Sequence, residues 1–175
     1  SPLVLVEQGE LRLTTVYGPV RVLADARIED SRLVRLTARM PKSALALDDQ
    51  SVRGLNADLD LTTRGDRTTV RLTAAADSVA SADSTTRDLT LKVEAVLPYP
   101  EGTPLRLGGP GQVELSLDAG TYSAGDTEAQ TVSIDLAAEG DLAGIMTRPR
   151  FEGRTQGTAA AGQLSAAGST VTEVR

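Results

Sequence analysis

LNADLDLTTRGDRTTVRLTAAA, residues 55–76, alternates apolar and polar side chains around a central Arg-Gly-Asp. Successive side chains of an extended strand point to opposite faces. Leu55, Ala57, Leu59 and Leu61 therefore share one face, with Asn56, Asp58, Asp60 and Thr62 on the other. Val70, Leu72, Ala74 and Ala76 repeat the pattern against Thr69, Arg71 and Thr73. Gly65-Asp66 places Gly first in a two-residue loop, which suits a type II′ hairpin turn. That turn sets the register: Leu61 faces Val70, Leu59 faces Leu72, Ala57 faces Ala74 and Leu55 faces Ala76. On the polar face Asp60 meets Arg71 and Thr62 meets Thr69, both favourable cross-strand pairs.

The same period of two runs from end to end. Leu11 and Leu13, then Val20 to Ile28, then Val34 to Met40 alternate with Arg, Thr and Glu. Leu89, Leu91, Val93, Ala95 and Leu97 follow; then Leu105 and Leu107; then Val113, Leu115 and Leu117; then Val132, Ile134, Leu136 and Ala138. A turn at 108–111 pairs Leu107 with Val113 and Arg106 with Glu114. Helical periodicity is absent, and the Ser and Thr content of 77–88 reads as loop. The expected fold is all-β: an antiparallel meander of about ten strands curled into an open groove, with a closed barrel or a sandwich as the alternative. Residues 1–146 form the sheet region, and 147–175 are Gly-, Ala- and Thr-rich, reading as weaker strands or a tail. The opening SPLVLVEQGE starts directly in a strand pattern, so the expectation is a segment of a longer chain.

Composition removes several chemistries. Among 175 residues there is neither cysteine nor histidine, so thiol nucleophiles, Ser-His-Asp triads and ordinary zinc sites have no ligands or bases. The absence of cysteine suits a reducing cytosol or a bacterial periplasm equally. No apolar run reaches the roughly 20 residues of a membrane span. The net charge is −6, and 16 of the 18 basic residues are arginines spread along the strands, with Lys42 and Lys92 the lysines. A nucleic-acid groove needs a basic patch, so none is expected.

Several short motifs have a bland reading that outweighs the sharp one. Arg64-Gly65-Asp66 matches an integrin-binding tripeptide, but the turn itself calls for Gly then Asp. Asp58, Asp60 and Thr62 have the spacing of a calcium loop without its Gly and distal Glu. Lys42 and Ser43, as strand neighbours, point apart and cannot form a dyad. Asp48-Asp49, Glu94 and Glu114 are candidate paired acids of a glycosidase only if the fold brings two of them together across a cleft. GGPG at 108–111 lacks the Lys of a phosphate loop and reads as a turn. The expectation is no enzyme, no cofactor and no metal.

The apolar face is the remaining candidate. It is aliphatic, with 23 Leu, 23 Ala and 15 Val against four aromatics, Tyr17, Tyr99, Tyr122 and Phe151. A sandwich of this size usually fills its centre with rings. On residues alone, a dry core and a trough for acyl chains stay equally open.

SVRGLNADLDLTT, RTTVRLTAAADSV, LRLGGPGQVELSLDAG and QTVSIDLAAEGDLAG resemble the bacterial AsmA-like superfamily, which includes TamB-type and YdbH-type intermembrane proteins. The resemblance covers most of 10–145 and lies in short Gly-bounded alternating strands. It implies a periplasmic protein anchored in the inner membrane by an N-terminal helix outside this sequence. Its long sheet would carry phospholipid toward the outer membrane, with inner- and outer-membrane proteins as partners at its ends. On that resemblance Leu55, Ala57, Leu59, Leu61, Val70, Leu72, Leu89, Leu91, Val93, Leu115, Val132 and Ile134 line a lipid groove. Paired charges such as Asp60–Arg71 and Arg106–Glu114 tile the outer wall. Two rivals remain: a structural or adhesive β-module with a dry core, and a lipoprotein-like shuttle with a closed lipid cavity.

Overall fold

Strict alternation with a turn at every reversal builds a sheet in which each strand pairs with its sequence neighbours. The computed structural model describes residues 3–47, 49–100, 109–141 and 152–174. They form ten strands: β1 (Leu3–Thr15), β2 (Gly18–Glu29), β3 (Arg32–Leu47), β4 (Gln50–Arg64), β5 (Arg67–Ala80), β6 (Ser84–Pro98), β7 (Pro110–Ala124), β8 (Thr127–Asp141), β9 (Glu152–Ala166) and β10 (Ser169–Val174). All pairs are antiparallel, and the spatial order is the chain order from β1 to β10. No helix occurs among the described residues.

The opening hairpin forms as its turn dictates. Leu61 pairs with Val70, Leu59 with Leu72 and Ala57 with Ala74. Gly65 has φ +59 while Asp66 does not enter the positive region, as a Gly-first type II′ turn requires. Gly125-Asp126 repeats this chemistry between β7 and β8, with Gly125 at φ +55. Leu55 and Ala76 are absent from the ladder, which skips Gly54 and Leu55 before resuming at Arg53–Ser78.

The sheet is open. Strands approach only their sequence neighbours, so β1 and β10 never meet and, among the described residues, no second layer covers either face. Closed barrel and sandwich are therefore ruled out. A compact monomer of 18.3 kDa exposes about 8,100 Å², whereas this chain exposes 11929 Å². No large side chain is fully buried, and the buried apolar residues are small: Ala76, Ala95, Ala119 and Ala129. Most leucines on the apolar face of β4 to β8 are half-buried and Leu136 is exposed, with no described element packed above them.

Three local expectations change. Residues 77–88 are the end of β5, a tight turn bridged by Ser81 and Ser84, and the start of β6. Ser and Thr suit strand positions through solvation and β-branching as readily as they suit loops. The expected strand at 105–107 lies outside the described residues, and so does Asp48. Glu114 faces Glu94 on β6 and Ala137 on β8, so both of its ladder positions are filled without Arg106.

One row of residues breaks every ladder from β4 to β10. Gly54, Asp77, Asp88, Gly120, Thr131, Gly162 and Glu173 stand in line across seven strands, and each is skipped while the register continues unchanged on both sides. Gly54, Asp88, Thr131 and Glu173, on alternate strands, have φ of +66, +54, +52 and +59. Glycines alternate with side chains that lie over them. A Cβ at Gly54 would sit 2.1 Å from the Asp77 carboxylate, and one at Gly120 would sit 3.0 Å from that of Asp88. This crease divides the sheet into two panels.

The segment after β6 ties down one end. Tyr99 N–H donates to the Asp66 carbonyl at 2.7 Å, and Arg32 stacks on the Tyr99 ring at 4.3 Å. Arg32 also donates to the Gly65 carbonyl at 2.6 Å. Beneath this strap Thr63 and Thr68 are buried and share a hydroxyl hydrogen bond of 3.1 Å. An unpaired buried hydroxyl costs about 1–3 kcal/mol, whereas removing both partners is nearly neutral. Thr68→Val alone should therefore destabilise the chain by about 1–2 kcal/mol, and Thr63→Val with Thr68→Val by clearly less than the two single changes together. Urea unfolding of the double-mutant cycle checks this.

Candidate functional site

Register and alternation place all twelve groove candidates on one face of β4 to β8. Leu59, Leu72, Val93 and Leu115 stand in a single cross-strand row that runs on to Leu136 and Gly157. Ala57 and Leu91 flank Ala74 in the next row, which continues through Leu117 to Ile134 and Ala159. Leu61 and Val70 are paired and extend to Ala95, Val113 and Ala138. Leu89 and Val132 are joined through Ala119, and Leu55 lies beside the crease. Ala74, Ala76, Ala95, Leu117 and Leu136, placed on the apolar alternation by the sequence but not among the twelve, complete the face together with Ala119, which the sequence reading missed. Their signal was the same alternation. On the other side of β4 the face extends through Leu36, Ala38 and Met40 of β3.

The result is an aliphatic surface whose side chains are half-buried to exposed. Leu136 is 43% exposed, and Leu11 on the edge strand is 54% exposed. Small alanines alternate with Leu and Val, giving a shallow relief without polar anchors. Such a surface offers apolar contact along its length and no directional hydrogen bond, so its chemistry favours a flexible hydrocarbon.

The opposite face is charged. Arg39 pairs with Asp58 at 2.8 Å, Arg35 with Asp60 at 3.2 Å, Arg71 with Glu94 at 3.5 Å and Lys42 with Asp77 at 3.1 Å. Asp60 and Arg71 are opposite in the ladder as expected. Their charges nevertheless turn to other strands: Asp60 reaches its diagonal neighbour Arg35 on β3, and Arg71 meets Glu94, its direct partner on β6. These pairs are exposed, so solvent screening leaves each of them a weak contribution to stability. Shallow concavities lie between the long side chains of this face, one lined by Lys92, Glu94, Glu114, Ser116 and Asp135.

Glu10 bridges two arginines. Hydrogen bonds from Arg12 and then Arg21 hold its carboxyl below the ordinary 4.5. A depressed carboxylate pKa contributes stability above the unfolded value and loses it as pH falls through the folded one. The Glu10 carboxyl should therefore titrate below 4.5 in a carbon-detected NMR pH series, and Arg21→Gln should move it upward. Arg39 is held above its ordinary value by the Asp58 hydrogen bond.

The other motifs resolve locally. Glu94 and Glu114 stand directly opposite each other, so the fold does bring two acids together, but on an exposed, charged surface with no enclosing cleft. Lys42 goes to Asp77 and Ser43 to the Pro41 carbonyl. Two backbone carbonyls of the Arg64-Gly65-Asp66 turn are engaged by Arg32 and Tyr99. Among the described residues no group of three or more acids could hold a metal ion.

Comparison with protein-family models, with curated proteins and with solved structures gave no match. The site therefore rests on its own geometry.

Proposed function

We propose that this chain is a lipid-binding stretch of a periplasmic bridge, whose sheet carries phospholipid acyl chains between inner and outer membranes. One observation carries the reading: a continuous aliphatic face of a ten-stranded sheet with no second layer over it among the described residues. Removing a methylene from water is worth about 0.8 kcal/mol, so a sixteen-carbon chain covered on one side gains about 6 kcal/mol. The near panel spans about seven residues along each strand, about 24 Å, which matches an extended acyl chain. Charge on the opposite face keeps the sheet soluble while the apolar face is loaded. The resemblance to AsmA-like proteins supplies the compartment, the inner-membrane anchor and the membrane-protein partners.

An open sheet has no enclosed lumen, which favours a bridge over a shuttle with a closed cavity. The reading is tested by native mass spectrometry and lipid extraction of the chain purified from a bacterial host. Co-purifying phospholipid is expected. A folded, lipid-free chain that also fails to take up added phospholipid returns the face to a structural or adhesive module.

A further inference from the structure

The crease does more than bend the sheet. In an extended strand successive carbonyls point to opposite edges. A residue in the left-handed helical region turns the carbonyls on either side of it the same way, so the alternation of faces slips by one step. The left-handed residues stand in β4, β6, β8 and β10. Because the register is unchanged on both sides of the row, the paired strands between them must slip with them, and apolar residues must change from odd to even numbers, or the reverse, on crossing it.

The sequence does this in every creased strand except β6, whose residues beyond the crease, Ser84 to Arg87, are polar. Apolar positions in β4 are odd from Leu55 to Leu61, yet the residue beyond the crease is Val52. In β5 they are even up to Ala76 and then Val79; in β7 they are odd up to Ala119 and then Tyr122. In β8 they are even from Val132 onward, with Ala129 on the far side. The register joins the far-side residues into one row: Val52, Val79, Tyr122, Ala129, Leu164 and Val171, with Thr86 between β5 and β7. The intervening residues are polar and largely exposed: Arg53, Arg87, Thr121, Glu128 and Gln130. Arg87, Thr121 and Gln130 are cross-strand partners in one row and Glu128 stands two residues from Gln130, so they share a face opposite Tyr122 and Ala129. Without the slip those charges would stand on the aliphatic face.

We infer that the crease is a face-keeping device, and that the apolar surface continues past it as a second acyl-chain-contacting panel built on Val52, Val79, Tyr122, Leu164 and Val171. This rests on the lipid reading above, and it extends the binding face toward the opposite ends of the strands. A chain lying along the near panel then meets apolar side chains again beyond the crease.

The test is photocrosslinking to phosphatidylethanolamine with radiolabelled acyl chains, using p-benzoylphenylalanine placed singly at Leu72, Tyr122, Leu164 and Thr121. Capture at Leu72, Tyr122 and Leu164, at least fivefold above Thr121, is expected. Capture at Leu72 and Thr121 without Tyr122 and Leu164 would show no slip and overturn the inference. Capture at Leu72 alone would end the binding face at the crease and overturn the second panel while leaving the lipid reading standing. No capture at any site would remove the lipid reading, and the second panel with it.

Discussion

Leu59→Asp combined with Leu72→Asp should abolish phospholipid binding and leave the sheet folded. These two residues are cross-strand partners at the centre of the near panel and are half-buried on an uncovered face. In a dry core, two carboxylates would lose their hydration without partners, at several kcal/mol each, against a total stability of about 5–15 kcal/mol. Here water reaches both, so each loses only part of the roughly 1.5–3 kcal/mol of a fully buried leucine. The β-sheet circular dichroism should persist, with a modest fall in unfolding midpoint. Acyl chains would then meet two charges, and bound phospholipid should fall at least about tenfold, since tenfold is only 1.4 kcal/mol. Global unfolding of the double variant would mean that the face is covered in the native protein.

Gly54→Val should be the most damaging single change on the crease. Gly54 sits at φ +66, where a β-branched residue is strained by about 1–3 kcal/mol. Its new Cβ would also lie 2.1 Å from the Asp77 carboxylate and drive that group away from Lys42. A loss of about 2–4 kcal/mol is expected. That is a fall in Tm of about 4–16 °C for a chain of this size. Gly125→Val is the control: the backbone has the same hand, φ +55, but nothing lies within 4 Å of the new Cβ. It should cost the backbone term alone. Equal losses at the two sites would remove the argument that the glycine–carboxylate packing holds the crease.

The architecture was legible because alternation and turn chemistry are local. Leu59, Leu72 and Gly65-Asp66 fix a register in which each pair depends only on its neighbours, and the same rule repeated along the chain gives a meander. Open or closed was not legible, because closure depends on twist and on whether the first strand can reach the last. The crease was hidden for another reason. Its signal is a change of parity spread over seven strands, and at each strand alone Val52 after Gly54, or Val79 after Asp77, looks like noise. Ion pairing was only half legible: the ladder puts Arg71 opposite both Asp60 on β4 and Glu94 on β6, and its charge goes to Glu94 while Asp60 reaches diagonally to Arg35.

The uncovered apolar face is the central claim, and the chain's lack of cysteine makes it directly measurable. Leu72→Cys provides a single thiol on that face, to be followed by the rate of labelling with a water-soluble maleimide in the folded, delipidated protein. The account predicts fast labelling without lipid and strong protection after addition of phosphatidylethanolamine–phosphatidylglycerol vesicles. Slow labelling without lipid at every protein concentration, or protection that grows with protein concentration alone, would place protein over the face and contradict it.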